Sequence, residues 1–202
     1  MITILIPGGF KPLHMGHLDM INKYVSNPDV EKVILLVGPS VRDGLDQSQA
    51  IQIIELVLKG YPKVIVKAVN EISPVLAAYH FIDKAEKGTY AMGCSKKGED
   101  YKRVNKFVND YASKKYPLPE GVNVIEFPVD VKPAIYIDRT DGNNGKPISA
   151  SILRQDVLNN DYENFYTNYA TEQLTFNDEE VIGALFNLLT SCVTTFDKEI
   201  QN

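Results

Sequence analysis

Cysteine is scarce in this chain: 202 residues contain two, Cys94 and Cys192. They lie far apart and share no metal-ligand spacing, which excludes a disulfide framework and a cysteine metal cluster and points to a reducing compartment, the cytoplasm. An excess of positive charge is also missing, since 21 Lys and Arg stand against 26 Asp and Glu, a net charge of −5. That balance argues against a general nucleic-acid binder. An anionic ligand would therefore need a local cationic pocket. No apolar run reaches the length of a membrane span. The opening Met-Ile-Thr-Ile-Leu-Ile lacks the basic residues of a secretory leader and reads as a first strand. There is no internal repeat and no low-complexity tract. No Gly-x-Gly-x-x-Gly follows the first strand, so the usual dinucleotide fingerprint is excluded. Histidine is rare too, yet two of the three, His14 and His17, fall in one turn.

What is present is an alternation of short apolar runs and helical patterns. Strands are expected at residues 2–6, 32–37, 63–69, 89–92 and 122–127, and helices at 17–25, 48–58, 73–85 and 99–115. Ser73 is the expected N-cap and Pro74 the first position of the third helix. Continuous apolar strands separated by helices predict a parallel sheet covered on both faces, a doubly wound α/β fold. Ligands of such folds sit beyond the carboxyl ends of the strands, at the switch point. Residues 161–169 are rich in Tyr and Asn and show no clear period. A tail helix is expected to open at Asn177, with Glu180 completing a capping box, and to run to about residue 197. Val181, Leu185, Leu188 and Leu189 share one face of it, which fits core packing or an interface between copies. Residues 141–145 (Asp-Gly-Asn-Asn-Gly) read as a loop. The expected division is a domain over 1–157 and a helical appendage over 158–202.

The first strand runs into Gly8-Gly9-Phe10-Lys11-Pro12-Leu13-His14-Met15-Gly16-His17. A glycine turn that opens a helix can cradle phosphate, because glycine lets the backbone approach and the helix N-terminus offers free N–H groups. Two imidazoles beside it suggest chemistry on that phosphate. Further on, Ile148-Ser-Ala-Ser-Ile-Leu-Arg154 begins a helix. Ser149 is a natural N-cap, and Ser151 and Arg154 share a helix face where hydroxyl and guanidinium can clamp phosphate.

The string Gly-Phe-x-Pro-x-His-x-Gly-His resembles the signature of the nucleotidyltransferase superfamily, matching at Gly8, Phe10, Pro12, His14, Gly16 and His17. The second string resembles that superfamily's Ile-Ser-Ser-Thr-x-Ile-Arg, matching at Ile148, Ser149 and Arg154. The resemblance covers most of residues 1–157. It implies a Rossmann-like five-stranded sheet and transfer of a nucleoside monophosphate from a triphosphate to a phosphate-bearing small molecule, with release of pyrophosphate. AMP from ATP is the favoured group; cytidylyl transfer from CTP to an alcohol phosphate, or a binding module without turnover, are the alternatives. It implies Mg²⁺ carried on the nucleotide phosphates, with no protein metal ligand.

The implied roles are these. His14 and His17 donate to the α- and β-phosphates. Lys11, where many members carry Asp or Asn, and Arg42 hold the acceptor or flanking phosphates. Ser151 and Arg154 hold the β/γ end, and Ser149 is a further nucleotide-binding residue. Gly8, Gly9, Phe10 and Gly16 shape the nucleotide turn, and Gly93 and Asp100 after the fourth strand contact nucleotide. His80 is expected to be structural. A flavodoxin-like redox protein would share the layers but gives no reason for two histidines.

Overall fold

In the computed structural model, residues 1–96, 98–139, 145–169 and 179–200 are described, the last seven by backbone alone. The elements alternate as β1 (Ile2–Gly8), α1 (Met15–Val25), β2 (Val30–Val37), α2 (Gln47–Val57), β3 (Val64–Ala68), α3 (Pro74–Asp83), β4 (Gly88–Met92), α4 (Glu99–Ala112), β5 (Val122–Ile125), α5 (Ala150–Leu158), α6 (Tyr162–Tyr169) and α7 (Glu179–Ile200). The strands form one five-stranded sheet in the order β3-β2-β1-β4-β5, and each neighbouring pair is parallel. This is the doubly wound, Rossmann-like arrangement expected. Chain order reverses between β1 and β4, so Gly8, the last residue of β1, and Gly93, the first residue after β4, stand at the switch point.

The chain divides into two compact units that interleave in sequence. One holds residues 1–8, 20–39 and 61–131; the other holds 9–19, 40–60 and 132–202. The first is the sheet unit. On one face, Leu5, Ile34, Leu36, Tyr90 and Met92 pack against Ala78 and Ile82 of α3 and Val104 and Phe107 of α4. Full burial of such side chains contributes about 1.5–3 kcal/mol each. Two glycines there are demanded by close approach. A Cβ on Gly38 would lie 2.6 Å from Pro74 Cγ, and one on Gly93 would lie 2.7 Å from Ile6 Cγ1. The Tyr24 hydroxyl donates to the Phe127 carbonyl at 2.8 Å and accepts the Cys94 N–H at 3.0 Å, locking the segments after β4 and β5.

The second unit gathers the histidine turn with α2, α5, α6 and α7. Two expectations are corrected there. Residues 161–169 are not irregular: α6 occupies them, with Phe165 and Tyr169 stacked at 5.4 Å and fully buried. The buried stripe of α7 is Ile182, Leu185, Phe186 and Leu189, with Val181 and Leu188 only half-buried. Asp46, just before α2, is the N-cap of that helix. In the sheet unit, Ser73 sits at the N-cap of α3, with Pro74 first in the helix, but makes no side-chain cap bond. Asn177 and most of the 141–145 loop lie outside the described residues. No helix among the described residues is long and apolar enough to cross a membrane.

Candidate active site

The chain leaves β1 at Gly8 and enters the turn that carries the first motif. Gly9 has open space where a side chain would be. Phe10 follows with φ of 51°, a left-handed backbone that costs a non-glycine residue about 1–3 kcal/mol. The strain is held by packing. Phe10 is buried and meets the His17 ring edge-on at 5.1 Å. Lys11 does not point to solvent: it is 3% exposed, and its Nζ donates to the Gly9 carbonyl at 3.1 Å. Burial lowers its pKa, Asp46 opposes that shift and Arg42 adds to it.

The two histidines are set by backbone. Gly16 N–H donates to His14 Nδ1 at 3.2 Å, and His14 N–H donates to His17 Nδ1 at 3.3 Å. A ring nitrogen that accepts carries no proton, so each neutral ring bears its hydrogen on Nε2. The rings lie 3.8 Å apart and tilted by 34°. Burial holds the His14 pKa down, to about 4. Burial, with His14 alongside, holds His17 well below the ordinary imidazole range. Both are therefore neutral Nε2–H donors at physiological pH. Gly16 is part of this geometry: a Cβ there would lie 3.2 Å from the His14 ring. From α6, the buried Tyr169 hydroxyl donates to the Leu13 carbonyl at 2.7 Å and anchors the turn. Asp19 of α1, also buried, accepts the Lys132 N–H at 2.8 Å.

The second motif begins α5. Ser149 is its N-cap and accepts from the Ile152 N–H, and Ser149 Oγ lies 3.1 Å from the exposed Ser151 Oγ. One turn on, Arg154 Nη1 donates to the Lys11 carbonyl at 2.5 Å. Arg154 Nε also donates to Asp43 Oδ2 at 2.5 Å, and the Arg154 side chain is only 11% exposed. Lys11, His14, Gly16, His17, Ser149, Ser151 and Arg154 thus belong to one compact unit, as does the exposed Arg42.

Asp43 was not singled out in the sequence, although a signal was there. Arg42 and Leu45 exchange both backbone hydrogen bonds across Asp43-Gly44, and those two residues have φ of 47° and 80°. Asp-Gly is a preferred pair for such a two-residue turn.

Gly8, Gly93 and Asp100 lie in the sheet unit. Gly93 is explained by its packing on Ile6, and Asp100 is exposed in an ion pair with Arg103 at 3.3 Å. Lys102 pairs likewise with Glu99 at 2.6 Å, so these are solvated helix charges. His80 is exposed and bonded to Glu71 at 2.8 Å. Cys94 and Cys192 are buried free thiols. Among the described residues no group of three His, Cys, Asp or Glu is arranged to hold a metal ion.

No family model matches this chain, and no curated protein does. Solved structures do. A bifunctional NMN adenylyltransferase/ADP ribose pyrophosphatase from Francisella tularensis superposes with a TM-score of 0.53 at 16% identity, over 99% of this chain and 54% of that one. A structure of such an enzyme from the same organism, complexed with AMP and Mn ion, gives a TM-score of 0.49 at 16% identity with the same coverage of 99% and 54%. This chain therefore spans about half the length of those proteins. At this identity the first likeness establishes the α/β fold alone.

Proposed function

We propose that the protein is a nucleotidyltransferase that moves a nucleoside monophosphate, AMP in the favoured reading, from a triphosphate to a phosphate-bearing small molecule. The observation that carries the reading is the bond from Arg154 to the Lys11 carbonyl, which joins two motifs far apart in sequence. In the reaction, an acceptor phosphate oxygen attacks the α-phosphorus, the bond to the β-phosphate bridging oxygen breaks, and pyrophosphate leaves. Nothing in this exchange needs a nucleophilic side chain. The residues position the triphosphate and stabilise the charge that grows on its oxygens.

The neutral His14 and His17 donate from Nε2 to the α- and β-phosphate oxygens. Gly8, Gly9, Phe10 and Gly16 shape the turn beneath them. Arg154 binds the β/γ end, with the hydroxyl of Ser151 and the helix terminus capped by Ser149. Lys11 and Arg42 supply positive charge near the acceptor or flanking phosphates. Mg²⁺, which neutralises phosphate charge when bound, would be held by the phosphate oxygens; among the described residues no group of three His, Cys, Asp or Glu is arranged to hold it. Residues 1–157 carry the chemistry, and the tail from 158 supports it, as Tyr169 on Leu13 suggests. The buried free thiols favour a reducing cytoplasm.

The test is pyrophosphate release with Mg²⁺ and either ATP or CTP against a panel of phosphate acceptors. Nicotinamide mononucleotide heads the panel because the fold neighbour carries it in its name. Release with ATP and one acceptor is expected. Release with CTP alone would overturn the adenylyl preference. Nucleotide binding with no release from any pair would support the binding-module reading. In the active pair, His17→Ala is expected to lower kcat by about 10²-fold or more, the range for losing one stabilising donor. A rate near wild type would remove His17 from the mechanism.

A further inference from the structure

The guanidinium of Arg154 is gripped from two flanks. Asp43 Oδ2 takes Nε at 2.5 Å and the Lys11 carbonyl takes Nη1 at 2.5 Å. Both partners come from rigid pieces of the same unit. Lys11 follows the strained Phe10, and Asp43 sits in the doubly hydrogen-bonded turn between Arg42 and Leu45. That turn leads straight into α2, whose N-cap Asp46 closes a capping box with Gln49. Neither partner engages Nη2. An arginine held this way has lost its rotamer freedom before the ligand arrives, and it keeps its outer N–H groups for an anion.

We propose that Asp43 is a positioning residue for the triphosphate clamp: its carboxylate holds the Arg154 guanidinium so that the Nη2 edge meets a pyrophosphate-class anion. The inference rests on the nucleotidyltransferase reading above. The turn also explains the residue type. At φ of 47° Asp and Asn are the side chains best tolerated, and among them only Asp adds a charge to fix Nε.

The probe is inorganic pyrophosphate, with its Kd measured by calorimetry on the full chain, alongside kcat and KM for the triphosphate. Asp43→Ala is expected to weaken pyrophosphate about tenfold, the scale of one charge-assisted hydrogen bond. Asp43→Asn keeps an acceptor on Nε and suits the turn, because Asn-Gly is the pair it prefers. It is expected to recover part of the loss. In an Arg154→Ala background, Asp43→Ala is expected to add nothing, since the two act through one contact. A loss that persists in that background, or a lowered melting temperature with unchanged Kd, would mean a merely structural turn. Tighter binding by Asp43→Asn would mean that the carboxylate competes with the anion, and would also overturn the proposal. Failure of the wild-type protein to bind pyrophosphate at all would bring down the nucleotidyltransferase reading itself. Normal wild-type binding with an unaffected Asp43→Ala would remove only the positioning role.

Discussion

At the scale of single residues, the decisive feature is that His14 and His17 are kept neutral while their donor atoms are fixed. Burial depresses His14 to about 4, and His17 is held lower than usual by burial and by its neighbour. Between pH 5 and 8 His14 should not change charge in the free protein, and His17 is shifted in the same direction. The profile of kcat/KM against pH is therefore expected to lack an acid limb near 6.5, the ordinary imidazole value, and to fall only as pH approaches 4. A limb near 6.5 that disappears in His14→Asn would contradict the neutral-donor assignment. The histidine spacing was readable in the sequence. Which nitrogen bears the proton was not, because it depends on where the Gly16 and His14 N–H groups point. Lys11 is similar: its identity was plain, but its burial against the Gly9 carbonyl follows from the turn's conformation.

Single elements show why some helices were legible and others were not. At α2, Asp46 accepts the Gln49 N–H and Gln49 Oε1 accepts the Asp46 N–H, each at 2.8 Å. Asp-x-x-Gln is a capping-box spacing, whereas apolar periodicity alone starts the helix only at residue 48. Asp46→Ala should cost about 1 kcal/mol. In a chain of this size the melting temperature should then drop by about 2–4 °C. A calorimetric scan with no shift would mean that the box adds nothing. At α6 the reason for the missed helix is different. Two of its buried positions are polar, Asn164 and Asn168. They satisfy an irregular segment, since Asn168 accepts the Ile137 N–H and donates to the Ile137 carbonyl, while Asn164 accepts the Arg139 N–H. Apolar periodicity cannot detect a helix whose inner face serves as a hydrogen-bond partner.

For the whole molecule, the pH dependence of stability carries a mark of one buried acid. Asp156 of α5 is 5% exposed, its Oδ1 accepts the Tyr136 hydroxyl at 2.6 Å, and its Oδ2 has no hydrogen-bond partner. Burial raises its pKa from 3.8 to about 6, with Asp161 and Asp138 adding to the shift and Tyr136 opposing it. Between these values the folded chain keeps a proton that the unfolded chain has released. This group's contribution to stability is thus complete below 3.8 and is lost as pH rises through about 6. His14, shifted the other way from 6.5 to about 4, contributes stability above 6.5 and loses it as pH falls. The two oppose each other in wild-type melting curves. Asp156→Asn isolates the acid: its melting temperature relative to wild type should rise as pH goes from 4 to 7. A difference independent of pH would show that Asp156 does not titrate in this range.

The sequence by itself determined the parallel α/β layering, because unbroken apolar strands alternating with helices have no other way to bury both sheet faces. It also determined the chemistry available, since the two histidines, two serines and Arg154 stand in recognisable strings. Only the tertiary structure decided which of these residues share a unit, that Lys11 turns inward, and that Asp43 grips Arg154 across a separation of 111 positions. The physical reason is range. Strand and helix patterns are set by neighbours within a few residues, whereas a hydrogen bond between distant segments is fixed by packing that no local period encodes.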